Sequence, residues 1–151
     1  DFDPVAYRRA MSINLDGVVY GAHAVLPALR ARGGGVLVAT ASMAGIVPVA
    51  LDPFYAANKH AVVGLMRSLG ESLAADGITA MALCPSFAET PIITEARPFL
   101  EEVGFPILEV SAVVDAFETM LDRGRPGEAW FVIPGRESEP FRFRNAPGPR
   151  V

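Results

Sequence analysis

The run Gly33-Gly34-Gly35-Val36-Leu37-Val38-Ala39-Thr40 sets three glycines directly against a short apolar segment. Five residues with no polar alternation, bounded by turn residues, fit a strand buried on both faces, as in a parallel sheet. Upstream, Asp3-Pro4 reads as an N-cap followed by proline in the first turn. A long helical pattern follows through Ala10, Ile13, Leu15, Val18, Val19, Ala22, Val25, Leu26 and Leu29, with Pro27 inside it as a point of bending, and the glycines end it. Downstream, Asp52-Pro53 repeats the cap-plus-proline signal. It opens a helix carrying Tyr55, Val62, Val63, Leu65, Met66, Leu69 and Leu73, which stops at Asp76-Gly77.

Ile78 to Cys84 forms a second buried strand, and Ala129 to Ile133 a third. Between them lie a proline-interrupted segment, Pro85 to Pro106, and a helix from Ser111 to Leu121 with Ser111 as its expected cap. A structureless loop as long as 85–106 is usually functional. The order helix, strand, helix, strand, helix, strand predicts an α/β fold with a parallel sheet and helices on both faces. About three strands are few for such a sheet, so the pattern reads as part of a larger doubly wound one. Residues 136–151, rich in Pro, Gly and Arg, read as an irregular tail. No internal repeat or second domain is visible.

Composition excludes several functions. Thirteen Lys and Arg stand against 17 Asp and Glu, for a net charge of −4. No basic segment points to nucleic acid, and no apolar run has membrane-spanning length. The first residues do not read as a signal peptide, and the absence of Met at position 1 fits a processed or truncated chain. Cys84 is the only cysteine, so no internal disulfide can form; it reads as a small buried hydrophobe, and a cytoplasmic setting is expected. His23 and His60 belong to no metal-ligand cluster, so no metal is expected.

Chemistry gathers around Tyr55-Ala56-Ala57-Asn58-Lys59. A spacing of four places Tyr55 and Lys59 on one helix face. A nearby ammonium favours a phenolate, and so does the positive end of the helix. Such a tyrosine could exchange a proton with an alcohol or a carbonyl. Taken alone, the pair fits an ordinary amphipathic surface better than a catalytic site. Thr40-Ala41-Ser42 lies at the C-terminal end of the first strand, where doubly wound sheets bind ligands. In isolation Ser42 would be a plain turn residue. Asn14-Leu15-Asp16-Gly17 sits inside the first helix although Asn and Gly are poor helix formers, which marks a kink or a held water.

Asn14, Ser42, Tyr55 and Lys59, in this order and at these spacings, resemble the catalytic tetrad of the short-chain dehydrogenase/reductase family. The surrounding Ile13-Asn14-Leu15-Asp16-Gly17, Ala41-Ser42-Met43-Ala44-Gly45 and Tyr55 to Ala61 agree. The resemblance runs from about Asp3 to Pro91 and more loosely to Gly135. It implies a partial Rossmann-like fold over residues 1–135 and interconversion of an alcohol and a carbonyl with NAD or NADP. In that scheme Tyr55 is the general acid/base. Lys59 lowers its pKa and holds the nicotinamide ribose, Ser42 orients the substrate oxygen, and Asn14 supports a water-linked proton relay. Pro85-Ser86-Phe87-Ala88-Glu89-Thr90 resembles the family's P-G-x-x-x-T segment. It assigns cofactor contacts to Pro85, Ser86, Ala88 and Thr90, with Ser86 standing where glycine is usual.

The segment Ile92 to Pro106 would form a substrate lid, and its Ile92, Ile93, Phe99, Leu100 and Phe105, with Ile107, imply an apolar small-molecule substrate. An apolar cleft is expected beside Ser42. The helices 4–31 and 54–76 would form the interface of a homo-oligomer. The family's opening glycine-rich turn, which cradles the pyrophosphate, has no counterpart in these 151 residues. The reading is therefore the C-terminal catalytic part of such an enzyme. The alternative is a truncated, non-catalytic remnant serving as a ligand-binding or subunit-association module.

Overall fold

The protein is described by a computed structural model covering residues 2–144. The Asp3 carboxylate accepts hydrogen bonds from the backbone N–H of Val5 and Ala6, at 2.8 and 3.2 Å, and with Pro4 starts α1 (Pro4–Met11). One turn of π-helix (Ser12–Asp16) joins α1 to α2 (Gly17–Ala31). The irregularity in the first helical region therefore falls at Asn14, while α2 runs unbroken through Pro27. Asp52 and Pro53 repeat the device: the Asp52 carboxylate accepts from the Tyr55 N–H at 2.9 Å and opens α3 (Pro53–Leu73). A short 3-10 turn ends that helix at Gly77, whose φ of +70° a side chain would resist.

Strand β1 (Gly35–Thr40) pairs in parallel with β2 (Ile78–Pro85), from Gly35 opposite Ile78 to Thr40 opposite Leu83. β2 pairs in parallel with β3 (Ala129–Val132). The parallel sheet and the helices on both of its faces match the expectation. On one face, Val62, Val63 and Met66 of α3 pack on Ala39, Ala80, Ala82 and Cys84, with Leu15 and Val18 alongside. On the other, Ala116 and Met120 of α5 (Val110–Arg123) pack on Met81, Leu83, Trp130 and Val132.

Four expectations are corrected. The sheet has four strands, because β4 (Glu139–Pro140) adds an antiparallel edge to β3. Two residues are too few to show alternation, so the strand is invisible in the sequence. The tail is consequently not irregular throughout. Ser138 Oγ donates to Phe131 O at 2.7 Å, Phe141 N–H donates to Ala129 O at 2.7 Å, and Phe143 packs against the core under α3. Residues 145–151 lie outside the described part.

Nor is the 85–106 segment structureless. It holds a 3-10 turn (Pro91–Ile93) and α4 (Arg97–Glu102), and Glu89 forms an ion pair with Arg97 across them. Finally, Glu109, not Ser111, occupies the cap position of α5. No helix among the described residues is long and apolar enough to cross a membrane.

Candidate active site

The two parallel strands deliver their C-terminal ends to one side of the sheet, where β1 runs into Ser42 and β2 into Pro85-Ser86. Asp52 fixes the start of α3, so Tyr55 stands in its first turn and Lys59 one turn further on. Tyr55 is 37% exposed, whereas Lys59 is only 9% exposed. The Lys59 Nζ lies over the Tyr55 ring, 5.6 Å from its centre. That arrangement places a cation on the aromatic face.

Burial lowers the Lys59 pKa, against an opposing influence from Cys84. Lys59 forms no ion pair among the described residues. Its three N–H donors are therefore suited to neutral acceptors such as ribose hydroxyls.

Ser42 caps a 3-10 turn (Met43–Gly45), its Oγ accepting from the Ala44 N–H at 3.1 Å. That bond uses a lone pair and leaves the hydroxyl hydrogen available to donate. The turn is held hard against α3 at Gly45. A Cβ there would lie 2.7 Å from both Lys59 O and Val63 Cγ2. Glycine at this place is what lets the Ser42 segment approach the backbone of Lys59.

Below them is Cys84. Burial pushes its thiol up to about 11, opposed by the Ser42 backbone N–H and the Lys59 ammonium. This cysteine, read from sequence as a plain hydrophobe, thus borders both site residues. Only its place at the end of β2 hinted at that.

Asn14 sits within the π turn, and its Nδ2 donates to Ala10 O at 3.1 Å. Asn14, Tyr55 and Asn58 line one cavity of about 350 Å³, walled by Phe2, Tyr7 and Phe54. This cavity opens on the Asn14 side of Tyr55, and Ser42, beside which an apolar cleft was expected, is not in its lining.

Of the remaining residues, Pro85 pairs with Val132 and the Ser86 N–H donates to Val132 O at 2.8 Å. Ala88 bridges Leu108, and Thr90 Oγ1 donates to Ala88 O at 3.2 Å. No residue other than glycine has a positive φ among the described residues, so Ser86 adopts its backbone angles without strain. On the expected lid, Ile93 and Leu100 are buried, whereas Ile92, Phe99 and Phe105 are exposed, with Phe105 edge-on to Phe87 at 5.5 Å.

Sequence reasoning missed Asn58, which is 2% exposed beside Lys59. A signal existed: 58, 62 and 66 form one inward stripe of α3, and Asn58 is its single polar member.

Known proteins resemble this chain in sequence and in fold. Over 89 residues the chain is 38% identical to cyclohexanol dehydrogenase of Acinetobacter sp. (strain SE19), a match spanning 59% of this chain and 36% of that protein. Over 135 residues it is 35% identical to 15-hydroxyprostaglandin dehydrogenase [NAD(+)] of Bos taurus, spanning 77% of this chain and 51% of that one. Among solved structures, a gluconate 5-dehydrogenase from Burkholderia cenocepacia J2315, in complex with NADP and tartrate, superposes with a TM-score of 0.78. It is 26% identical, with 89% of this chain and 57% of that one covered. L-sorbose reductase from Gluconobacter frateurii, at 20% identity and a TM-score of 0.80, shares the fold over 89% of this chain and 59% of its own. The chain thus spans about half the length of these relatives. The profile of the short chain dehydrogenase family matches residues 1–101. The chain belongs to the short-chain dehydrogenase family.

Proposed function

We propose that this chain carries the catalytic residues of an NAD(P)-dependent oxidoreductase that interconverts an alcohol and a carbonyl. The observation that carries the reading is the buried Lys59 ammonium, without an ion pair among the described residues, over the ring of Tyr55, beside the Ser42 turn at the C-terminal side of a parallel sheet. Tyr55 passes a proton between its phenolic oxygen and the substrate oxygen as general acid/base. The Ser42 hydroxyl donates to that same oxygen and orients it. Lys59 donates to the nicotinamide ribose. Asn14 supports the relay that returns the proton to solvent. When bound, the dinucleotide supplies or accepts the hydride.

Pro85, Ser86, Ala88 and Thr90 face the nicotinamide end of the cofactor in this reading. Residues 1–135 act as the second part of a Rossmann-like domain, and residues 136–151 as its C-terminal extension. The exposed Ile92, Phe99 and Phe105 favour an apolar alcohol or ketone. Exposed Val5, Ile13, Val19 and Tyr20 on the first helical region favour a homo-oligomer built through helices 4–31 and 54–76, and the lone Cys84 is in keeping with a cytoplasmic setting.

The test is a panel of apolar secondary alcohols and ketones offered, with NAD(H) and with NADP(H), to the native protein that contains residues 1–151. Nicotinamide absorbance is followed. Turnover of at least one alcohol–ketone pair is expected. Cofactor binding without turnover of any member would contradict the assignment.

A further inference from the structure

Asn58 lies one residue before Lys59 and is 2% exposed, on the same inward stripe of α3 as Val62 and Met66. Its Nδ2 donates to Ala10 O at 3.3 Å and to Met11 Sδ at 3.1 Å. These partners fix the orientation of the amide. Turned over, its oxygen would face a carbonyl oxygen and a thioether sulfur, neither of which can donate.

Asn14 Nδ2 donates to the same Ala10 O. Two side-chain amides, from two helices, therefore converge on one carbonyl. That carbonyl sits in the last turn of α1, immediately before the π turn that carries Asn14. The turn itself is marked by the Gly17 N–H bonding back to Ser12 O, five residues away.

The remaining Asn58 oxygen, Oδ1, is buried without a partner among the described residues. An orphaned buried acceptor costs stability, and an apolar side chain would fill the stripe without that cost. Packing alone does not account for asparagine here, whereas the need for its N–H donors does.

Building on the dehydrogenase reading above, we propose that Asn58 is a positioning residue: it pins the Ala10 carbonyl and holds the π turn bearing Asn14 against the helix bearing Tyr55 and Lys59. It touches no reacting atom and acts through Ala10 and Asn14. Such a clamp explains how a π turn, an interruption between two regular helices, keeps one register beside the proton-transfer pair.

The experiment uses Asn58→Leu, which keeps the branched outline of the side chain and removes the donors, with Asn14→Ala and the double variant, all in the native protein. Thermal melts should show Asn58→Leu as stable as the parent or more so, because the orphan acceptor is gone. Its kcat should nonetheless fall on the order of tenfold, with the substrate KM little changed. The double variant should lose no more than the worse single one, because both amides act on one carbonyl. The pH profile of kcat should shift alike in all three.

Losses that multiply in the double variant, or a parental kcat in Asn58→Leu, would overturn the proposal. Hydrogen exchange of the amides of residues 14–17 reads the clamp without turnover. Exchange in Asn58→Leu should quicken on the order of tenfold as the turn loosens. Unchanged exchange overturns the clamp whatever the kinetics. Faster exchange in a protein that turns nothing over supports the clamp and condemns the dehydrogenase reading instead.

Discussion

Lys59 sets function against stability within a single side chain. Burial holds its pKa below the ordinary value. Below that lowered pKa the ammonium is charged in both the folded and the unfolded chain, and the burial penalty is fully present. The penalty fades as pH rises from the lowered folded pKa toward the unfolded value of 10.5. Lys59→Met should therefore melt at a higher temperature than the parent at pH 7, and this advantage should shrink as pH approaches 10.5. Under the proposed function the same variant should lose turnover on the order of a hundredfold. Melting curves at pH 7 and pH 10 check the first part, and an unchanged gap between them would contradict it. Tyr55 and Lys59 stood out in the sequence because their helical spacing of four is linked to Asn14 and Ser42 in one motif series. Asn58 and Cys84 were not, because their significance lies in partners on other elements: Ala10 for one, Ser42 and Lys59 for the other.

At the level of elements, the site depends on how closely a turn can approach a helix. Gly45 is the contact point, and a methyl group there would press on Lys59 O and on Val63 at 2.7 Å. Both belong to the well-packed α3, so the Ser42 turn would have to move instead. Gly45→Ala should lower stability by about 1–3 kcal/mol. It should also reduce turnover on the order of tenfold or more, although neither Ser42 nor Lys59 is altered. Denaturant unfolding and steady-state kinetics on one preparation test both effects, and a variant with parental turnover would show that the approach of the turn is irrelevant. The regular elements were readable because caps announce them: Asp3-Pro4 and Asp52-Pro53 begin helices as expected. The π turn was readable only as a misfit, an Asn and a Gly where a helix prefers neither. Its Gly17 N–H to Ser12 O bond and the Asn14 bond to Ala10 are local, but the Asn58 bond to the same carbonyl comes from another helix and no local rule encodes it.

Among the described residues, the sheet is bordered at its β3 edge by the chain's own tail, through β4. Phe143 packs beneath α3, with the Arg67 guanidinium 3.7 Å above its ring and Phe141 edge-on at 4.9 Å. Phe143→Ala should cost roughly 1–2 kcal/mol, the worth of a partly buried aromatic and its cation contact. Urea unfolding measures this directly, and a change within error would mean that the tail merely rests on the core. The tail was illegible because composition rich in Pro, Gly and Arg resembles disorder, while two aromatic anchors and a two-residue strand suffice to dock it. The alternating strands and helices, by contrast, expressed the parallel sheet plainly. On that sheet the proposed chemistry stands or falls with one oxygen atom. In the native protein containing this chain, Tyr55→Phe should cut kcat on the order of a thousandfold. Binding of the nicotinamide cofactor should remain close to that of the parent, since only the phenolic oxygen is removed. Near-normal turnover by Tyr55→Phe would contradict the account.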